Sequence, residues 1–335
     1  MDGHLTDGLV EVGANARERY YDSRGYGRPR GDGVVLSRVE AAHLLYRDDL
    51  DTVDGRGFSA FLTDNADIVV PFLVYKDLRD RGFYVSPARE GWVDEPNGID
   101  FVVHPRGDGP WDGTAAYRVR VLGERASVEL DSLGSVVLAV VDEESELTYL
   151  QTDVPEISGT SDTSTDGPIA GDLLEDRVLC WTPPAELYER GFYGQRMDRD
   201  DDAVQLSLLE AAYLADVGAL TIDGGREAIE ARGRAVEGER FDRRLAVYRT
   251  LRERGVVPKT GFKFGADFRT YANVGHVDDL GHSELLVRVL PGDAALSPRD
   301  LALDVRLAHG VRKRMVFALV DDGAIRWLSI ARLTP

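Results

Sequence analysis

The chain has 335 residues, 43% of them hydrophobic, with 59 acidic against 40 basic residues, one cysteine and a formal net charge of −19. That length supports two domains or more with ordinary cores, and the single cysteine, Cys180, excludes an internal disulfide or a cysteine-based metal site. No apolar run approaches the ~18–20 residues of a membrane span, and the acidic, polar opening MDGHLTDGLVEVGANARE is unlike a signal peptide, so a cytoplasmic protein with no membrane partner is expected.

From the N-terminus, the first signal is a capping box, Ser37-Arg38-Val39-Glu40, which opens an amphipathic helix. A second helix is expected over Ala66 to Arg81, closed by Gly82 at the left-handed C-cap position. GIDFVVHP and YRVRVL then read as strands, RASVELDSLGS as a short connection, and the acidic turn Asp142-Glu143-Glu144-Ser145-Glu146 separates two closing strands. Pro155 to Asp172, PEISGTSDTSTDGPIAGD, has almost nothing to bury and reads as a mobile linker.

Beyond it the pattern begins again. A capping box, Ser207-Leu208-Leu209-Glu210, is followed by a helix over Asp242 to Arg254 closed by Gly255, then by strand-like GADFRTY and ELLVRVL. A helix from Ser297-Pro298-Arg299-Asp300 to about His309, with Gly310 as its stop, precedes two last strands around Asp321-Asp322-Gly323.

These similarities make a tandem repeat. LSRVEAAHLL matches LSLLEAAYLA, VYKDLRDRG matches VYRTLRERG, and LAVVDEESELTYL matches FALVDDGAIRWL, at offsets of 170, 173 and 179 positions. The fold class expected is α/β (α+β): each copy is a small helical N-terminal part followed by an α/β part with a mixed sheet. The boundaries are 1–154 for the first copy (parts 1–65 and 66–154), 155–172 for the linker and 173–335 for the second copy (parts 173–241 and 242–335).

Chemistry concentrates in the second copy, in KTGFKFGADFRTY (Lys259 to Tyr271), in His282-Ser283-Glu284 and in Gly310-Val311-Arg312-Lys313. A phenol, an imidazole and an ammonium are what metal-free cleavage of a phosphodiester by a neighbouring 2′-OH would use: one group to take a proton, one to give it, and a fixed cation for the phosphorane. Singly, each has a plain structural reading, as a core tyrosine, a surface histidine and a solvated strand end; their ordered combination around KFGADF is the specific signal. These three stretches resemble the signature of the archaeal tRNA-splicing endonuclease family. The resemblance implies Tyr271 as general base, or as the group that orients the 2′-OH, His282 as general acid and Lys313 as transition-state stabiliser, with no cofactor and no metal. The substrate it implies is precursor tRNA, cut at a bulge-helix-bulge to leave 2′,3′-cyclic phosphate and 5′-hydroxyl ends.

Aligning the copies sets His104 opposite Tyr271, Thr114 opposite His282, and Ser135 or Val136 near Lys313, so the first copy is degenerate. An intact copy beside a degenerate one resembles the two-repeat, homodimeric type of this family. On the same resemblance, Arg306 and Arg326 are the pair that would sandwich a bulged base, and Asp142, Glu143, Glu144 and Glu146 form the acidic loop that would dock into a basic groove of the other chain. Only four residues are lysines, Lys76, Lys259, Lys263 and Lys313. Acidic and lysine-poor together imply a cytoplasm with molar salt, as in a halophilic archaeon, where the Debye length is about 3 Å and recognition depends on close contact. Residues Arg243 to Arg314 carry net +6 and the rest of the chain −25. Two other classes are a catalytically silent RNA-binding or assembly subunit, and a metal-dependent DNA nuclease recruiting Asp267 and Glu284; the latter chemistry commonly needs a lysine where this chain has Leu286.

Overall fold

The computed structural model describes residues 1–162, 167–198 and 202–335. Helices α1 (Arg38–Tyr46) and α2 (Val69–Asp80) belong to the first copy, and α3 (Leu208–Asp216), α4 (Glu239–Glu253) and α5 (Pro298–Gly310) to the second. Both capping boxes form: Ser37 Oγ accepts the Glu40 N–H and the Glu40 carboxylate accepts the Ser37 N–H, with the same exchange between Ser207 and Glu210. Gly82 and Gly255 follow α2 and α4 at φ of +87° and +70°. Gly310, by contrast, is the last residue of α5, and the left-handed residue after that helix is Arg312, at φ +57°.

A ten-stranded mixed sheet runs through both copies. Its strands are β1 (Val85–Pro87), β2 (Phe101–Val103), β3 (Tyr117–Gly123), β4 (Val137–Val141) and β5 (Leu147–Asp153) in the first copy, then β6 (Val257–Thr260), β7 (Phe268–Tyr271), β8 (Leu285–Pro291), β9 (Arg314–Asp321) and β10 (Ala324–Leu333) in the second. The spatial order is β6-β7-β8-β9-β10-β5-β4-β3-β2-β1, so the copies meet through their last strands, antiparallel, with Tyr149 opposite Leu333 and Asp153 opposite Ser329. Within each copy one pair is parallel, β3 with β4 and β8 with β9. The second crossover carries α5; the first has no α-helix, only a two-residue strand, Val128–Glu129, that pairs with Ala295–Leu296 of the second, and a 3₁₀ turn, Leu130–Ser132.

The N-terminal parts are less purely helical than their sequence signals. The first contains a five-stranded sheet built from Asp2–Thr6, Leu9–Val12, Arg28–Arg30, Gly33–Ser37 and Thr52–Val53, and the second a four-stranded counterpart. In each, one glycine is squeezed against a strand: a Cβ on Gly27 would lie 2.3 Å from the Val35 carbonyl, and one on Gly194 would lie 2.4 Å from that of Gln205. Both glycines sit at positive φ and donate their N–H to the capping-box glutamates, Glu40 and Glu210.

Each copy has its own apolar core, and a third core lies between them, where Leu130, Leu133 and Leu138 of the first copy pack with Leu286, Leu301 and Phe317 of the second. Leu130 and Leu301 are fully buried there, and a cut of such a residue to alanine costs about 2–5 kcal/mol. The crossovers thus pack the first copy against the second.

The stretch expected to be a mobile linker is partly docked. Ile157 and Ile169 are buried, Ile169–Ala170 pairs with Leu220–Thr221, and Asp172–Leu173 starts the second small sheet. Residues 163–166 of that stretch lie outside the described residues.

Candidate active site

The motif KTGFKFGADFRTY folds as a hairpin. β6 and β7 are antiparallel, with Val257 opposite Tyr271 and Lys259 opposite Arg269, joined by a 3₁₀ turn over Phe262–Phe264. Asp267 fixes the hairpin to its surroundings: its carboxylate accepts the Val289 N–H at 2.8 Å and pairs with Arg240 and with Arg244. Asp100 accepts the Val121 N–H at 2.7 Å in the first copy, the same clamp without the arginines. Asp267, which a metal-dependent reading would recruit, is therefore committed to structural partners.

Sequence reasoning assigned no role to Lys259, the other conspicuous member of the motif. Its ammonium donates to Glu210 Oε1 at 2.8 Å, to the Gly194 carbonyl at 2.9 Å and to the Phe192 carbonyl at 3.2 Å. Burial pushes the Glu210 pKa up, but Lys259 and the Ser207 and Gly194 N–H groups outweigh it and hold the carboxyl at about 2. Where Lys259 stands, the first copy has Ser86, and Glu40, with no ammonium, has its pKa raised by burial. The only sequence signal for this pair was that lysine is so rare in the chain. Phe192 in turn packs edge-on to Tyr271, centroids 5.7 Å apart.

The three expected catalytic residues arrive at one end of three adjacent strands. Tyr271 is the last residue of β7, His282 stands three residues before β8, and Lys313 stands one residue before β9. β7 and β8 are antiparallel and β8 and β9 parallel, so these are neighbouring ends. Backbone bonds tie them: the Glu284 N–H donates to the Thr270 carbonyl at 3.0 Å, and the Arg314 N–H to the Glu284 carbonyl at 3.1 Å. Lys313 Nζ donates to the Ser283 carbonyl at 2.6 Å, one residue from His282. With strands about 4.8 Å apart, the backbones of Tyr271 and Lys313 are separated by roughly 10 Å, with Glu284 between them in the register and His282 two residues before it.

Tyr271 is buried, 8% exposed, among Phe192, Val257 and Val274, while His282 is exposed and Lys313 half-buried. The three side chains make no hydrogen bond to one another among the described residues. Burial and the nearby Arg269 guanidinium lower the Lys313 pKa. Arg269 shares the Tyr271 face of β7, with its Cζ 5.7 Å from that ring, and its buried Nε has no hydrogen-bond partner among the described residues. This second cation was also missed in the sequence.

The β-sheet register makes the comparison of the copies sharper. Phe101 opposite Val119 corresponds to Phe268 opposite Val287, which sets His104 at the Tyr271 position and Thr114 at the His282 position. Val137 opposite Val119 corresponds to Val316 opposite Val287, so the Lys313 position is Gly134, one residue before the expected Ser135 or Val136. His104 is buried, with its ring nitrogens on Ser86 Oγ and the Thr114 carbonyl.

The remaining site residues lie elsewhere. Arg306 is exposed on α5, and Arg326 is exposed on β10 with its guanidinium bonded to the Asp131 carbonyl of the first copy. In the acidic turn, Asp142 Oδ1 accepts the N–H groups of Glu144 and Glu146, and Glu143 pairs with Arg125, while Glu144 and Glu146 are exposed. A groove between the second N-terminal part and β6–β7 is lined by Arg177, Arg244, Lys259 and Arg269. Arg177, Arg244 and Lys259 each already pair with an acid, whereas Arg269 forms no ion pair among the described residues.

A family model described as tRNA intron endonuclease, catalytic C-terminal domain, matches residues 241–327. A second, tRNA intron endonuclease, N-terminal domain, matches residues 1–62 and again 169–232. The chain is 75% identical to the tRNA-splicing endonuclease of Natronomonas pharaonis and 63% identical to that of Haloarcula marismortui, each over the full length of both chains. It is 37% identical to the tRNA-splicing endonuclease of Methanosarcina mazei, covering 97% of this chain and 96% of that one.

Proposed function

This chain belongs to the tRNA intron endonuclease family, an enzyme of intron excision from precursor tRNA, and we propose that it cuts both splice sites of a bulge-helix-bulge by metal-independent transesterification. The observation that carries the proposal is the arrival of Tyr271, His282 and Lys313 at neighbouring ends of β7, β8 and β9. Tyr271 takes or orients the proton of the 2′-OH, and the 2′-oxygen attacks the adjacent phosphorus. His282 gives a proton to the departing 5′-oxygen, and Lys313 offsets the charge on the pentacoordinate phosphorane. The products are a 2′,3′-cyclic phosphate and a 5′-hydroxyl. Unpaired bulge nucleotides suit this chemistry, because their backbone can turn the 2′-OH in line with the leaving oxygen as a paired A-form strand cannot.

Residues 1–154 form the non-catalytic copy and 173–335 the catalytic one. Two cuts need two sites, which a homodimer with twofold symmetry supplies. Across its interface, Glu144 and Glu146 of the exposed acidic turn enter the partner's groove, where Arg269 is the cation that forms no ion pair among the described residues. Arg306 and Arg326 close on a bulged base once RNA is bound, stacking through their guanidinium planes.

Single-turnover cleavage of a bulge-helix-bulge RNA tests the assignment. Tyr271→Phe, His282→Ala and Lys313→Ala each slow the step about 10²-fold or more while RNA affinity is largely kept, since these groups act mainly in the transition state. Lost affinity with an unchanged rate at saturating enzyme would overturn the roles.

A further inference from the structure

The short run joining the two copies is fastened to the chain that leaves β7. The Gly159 N–H donates to the Arg254 carbonyl at 2.9 Å, the Thr160 N–H to the Ala272 carbonyl at 2.7 Å and the Ser161 N–H to the Gly255 carbonyl at 3.0 Å. Ser161 Oγ accepts the Val274 N–H at 2.8 Å. Ile157 anchors the run in the core that holds Phe268 and Val256. Four hydrogen bonds and one buried side chain therefore grip residues 272 and 274, directly after Tyr271, together with the C-terminal cap of α4.

The fit leaves no space at its centre. A Cβ on Gly159 would lie 2.3 Å from the Gly255 carbonyl oxygen and 2.6 Å from that of Ala272, both backbone atoms that cannot swing aside. The degenerate copy has no such fit: at Gly82, which caps α2 as Gly255 caps α4, the nearest atom is an Arg106 guanidinium nitrogen at 3.7 Å. This docking thus accompanies the copy with the catalytic residues. The gripped residues open the loop that runs from Tyr271 to His282, most of which lies outside regular strands.

We infer that Gly159 and Ser161 are positioning residues of the cleavage site, holding the chain between Tyr271 and His282 so that the two groups keep their separation across the substrate. The inference rests on the reading of Tyr271 and His282 as the reacting groups. A misplacement of about 1 Å at such a site can cost up to 10²-fold in rate, whereas RNA held by other surfaces stays bound.

The test is single-turnover cleavage by the full chain in molar KCl, with RNA affinity measured in parallel. Gly159→Ala and Ser161→Ala each lower the rate at saturating enzyme by about tenfold or more with affinity unchanged, because they displace the reacting groups rather than the binding surface. Ser161→Ala removes a single oxygen and reports even where Gly159→Ala folds poorly. Ser161→Thr keeps the acceptor and restores most of the rate, and Val154→Ala, exposed in the same connection, is unchanged. In a Tyr271→Phe background Gly159→Ala adds little further loss, the non-additivity expected of groups acting through one another. Normal cleavage by both alanine variants beside a slowed Tyr271→Phe overturns the inference and leaves the site reading standing. Affinity falling in step with rate, or fully additive losses, overturns it as well. A full-rate Tyr271→Phe overturns the site reading, and the inference with it.

Discussion

Replacing Lys259 by methionine should destabilise the protein by at least about 3 kcal/mol at neutral pH and slow cleavage as well. The magnitude follows from Glu210: a carboxyl held at about 2 instead of its ordinary 4.5 represents about 3 kcal/mol of favourable interaction, close to the ~3–5 kcal/mol that breaking a buried pair costs. Burial draws the Lys259 pKa down while Glu210 draws it up; with three oxygens within 3.2 Å of Nζ, the ammonium stays charged. The pH dependence has a defined sign. In the native protein the depressed Glu210 pKa contributes stability that is complete above 4.5 and is lost as the pH falls toward about 2. Without Lys259 burial prevails, as it does at Glu40, so the Glu210 pKa lies above 4.5 and the penalty grows as the pH rises through that value. Urea unfolding of both proteins at about pH 7 and about pH 4 should show the gap narrowing toward acid. The gap should persist in molar salt, because a buried pair is weakly screened. Cleavage should slow because the Phe192 carbonyl that Lys259 holds belongs to the residue packed on Tyr271. An equal gap at both pH values, or a Lys259→Met/Glu210→Gln protein no more stable than Lys259→Met, would refute the reasoning.

Charge outside the active region leads to the next expectation: with −25 on the rest of the chain, the urea midpoint and the cleavage rate should both rise from dilute buffer to molar KCl, and maximal stability in dilute buffer would contradict this. Changing Asp142, Glu143, Glu144 and Glu146 to their amides should give a monomer by sedimentation with unchanged circular dichroism and little cleavage; an active dimer would reduce the turn to a solvated hairpin tip. Since burial and Arg269 lower the Lys313 pKa, activity should fall on the alkaline side at a lower pH than an ordinary lysine would give. Arg269→Gln, which removes one cation, should move that fall to higher pH, and a fall that stays in place would show that Lys313 does not set it.

Much of this architecture was legible because its signals are local. A capping box needs two residues three apart, and Ser37 with Glu40 and Ser207 with Glu210 both deliver it. The placing of Tyr271, His282 and Lys313 at or just before strand ends was legible for the same reason, since each is marked by its own short motif. Strands of two to five residues in the N-terminal parts were not, because runs such as Thr52–Val53 are too short to show alternation. Glu210 and Lys259 are 49 residues apart and meet only through the fold. The docked run at Ile157–Ser161 was misread because composition reports what side chains can bury, and this segment is held mainly by backbone N–H and C=O groups. Gly134 was displaced from its alignment because the two crossovers differ in length, which only the strand register corrects.

End-group analysis of one cleaved precursor tRNA in excess EDTA tests the central claim most directly. Attack by the substrate's own 2′-oxygen, served by Tyr271, His282 and Lys313, predicts undiminished cleavage with 2′,3′-cyclic phosphate and 5′-hydroxyl ends. Loss of cleavage on chelation that Mg²⁺ restores, or products ending in 3′-hydroxyl, would contradict it.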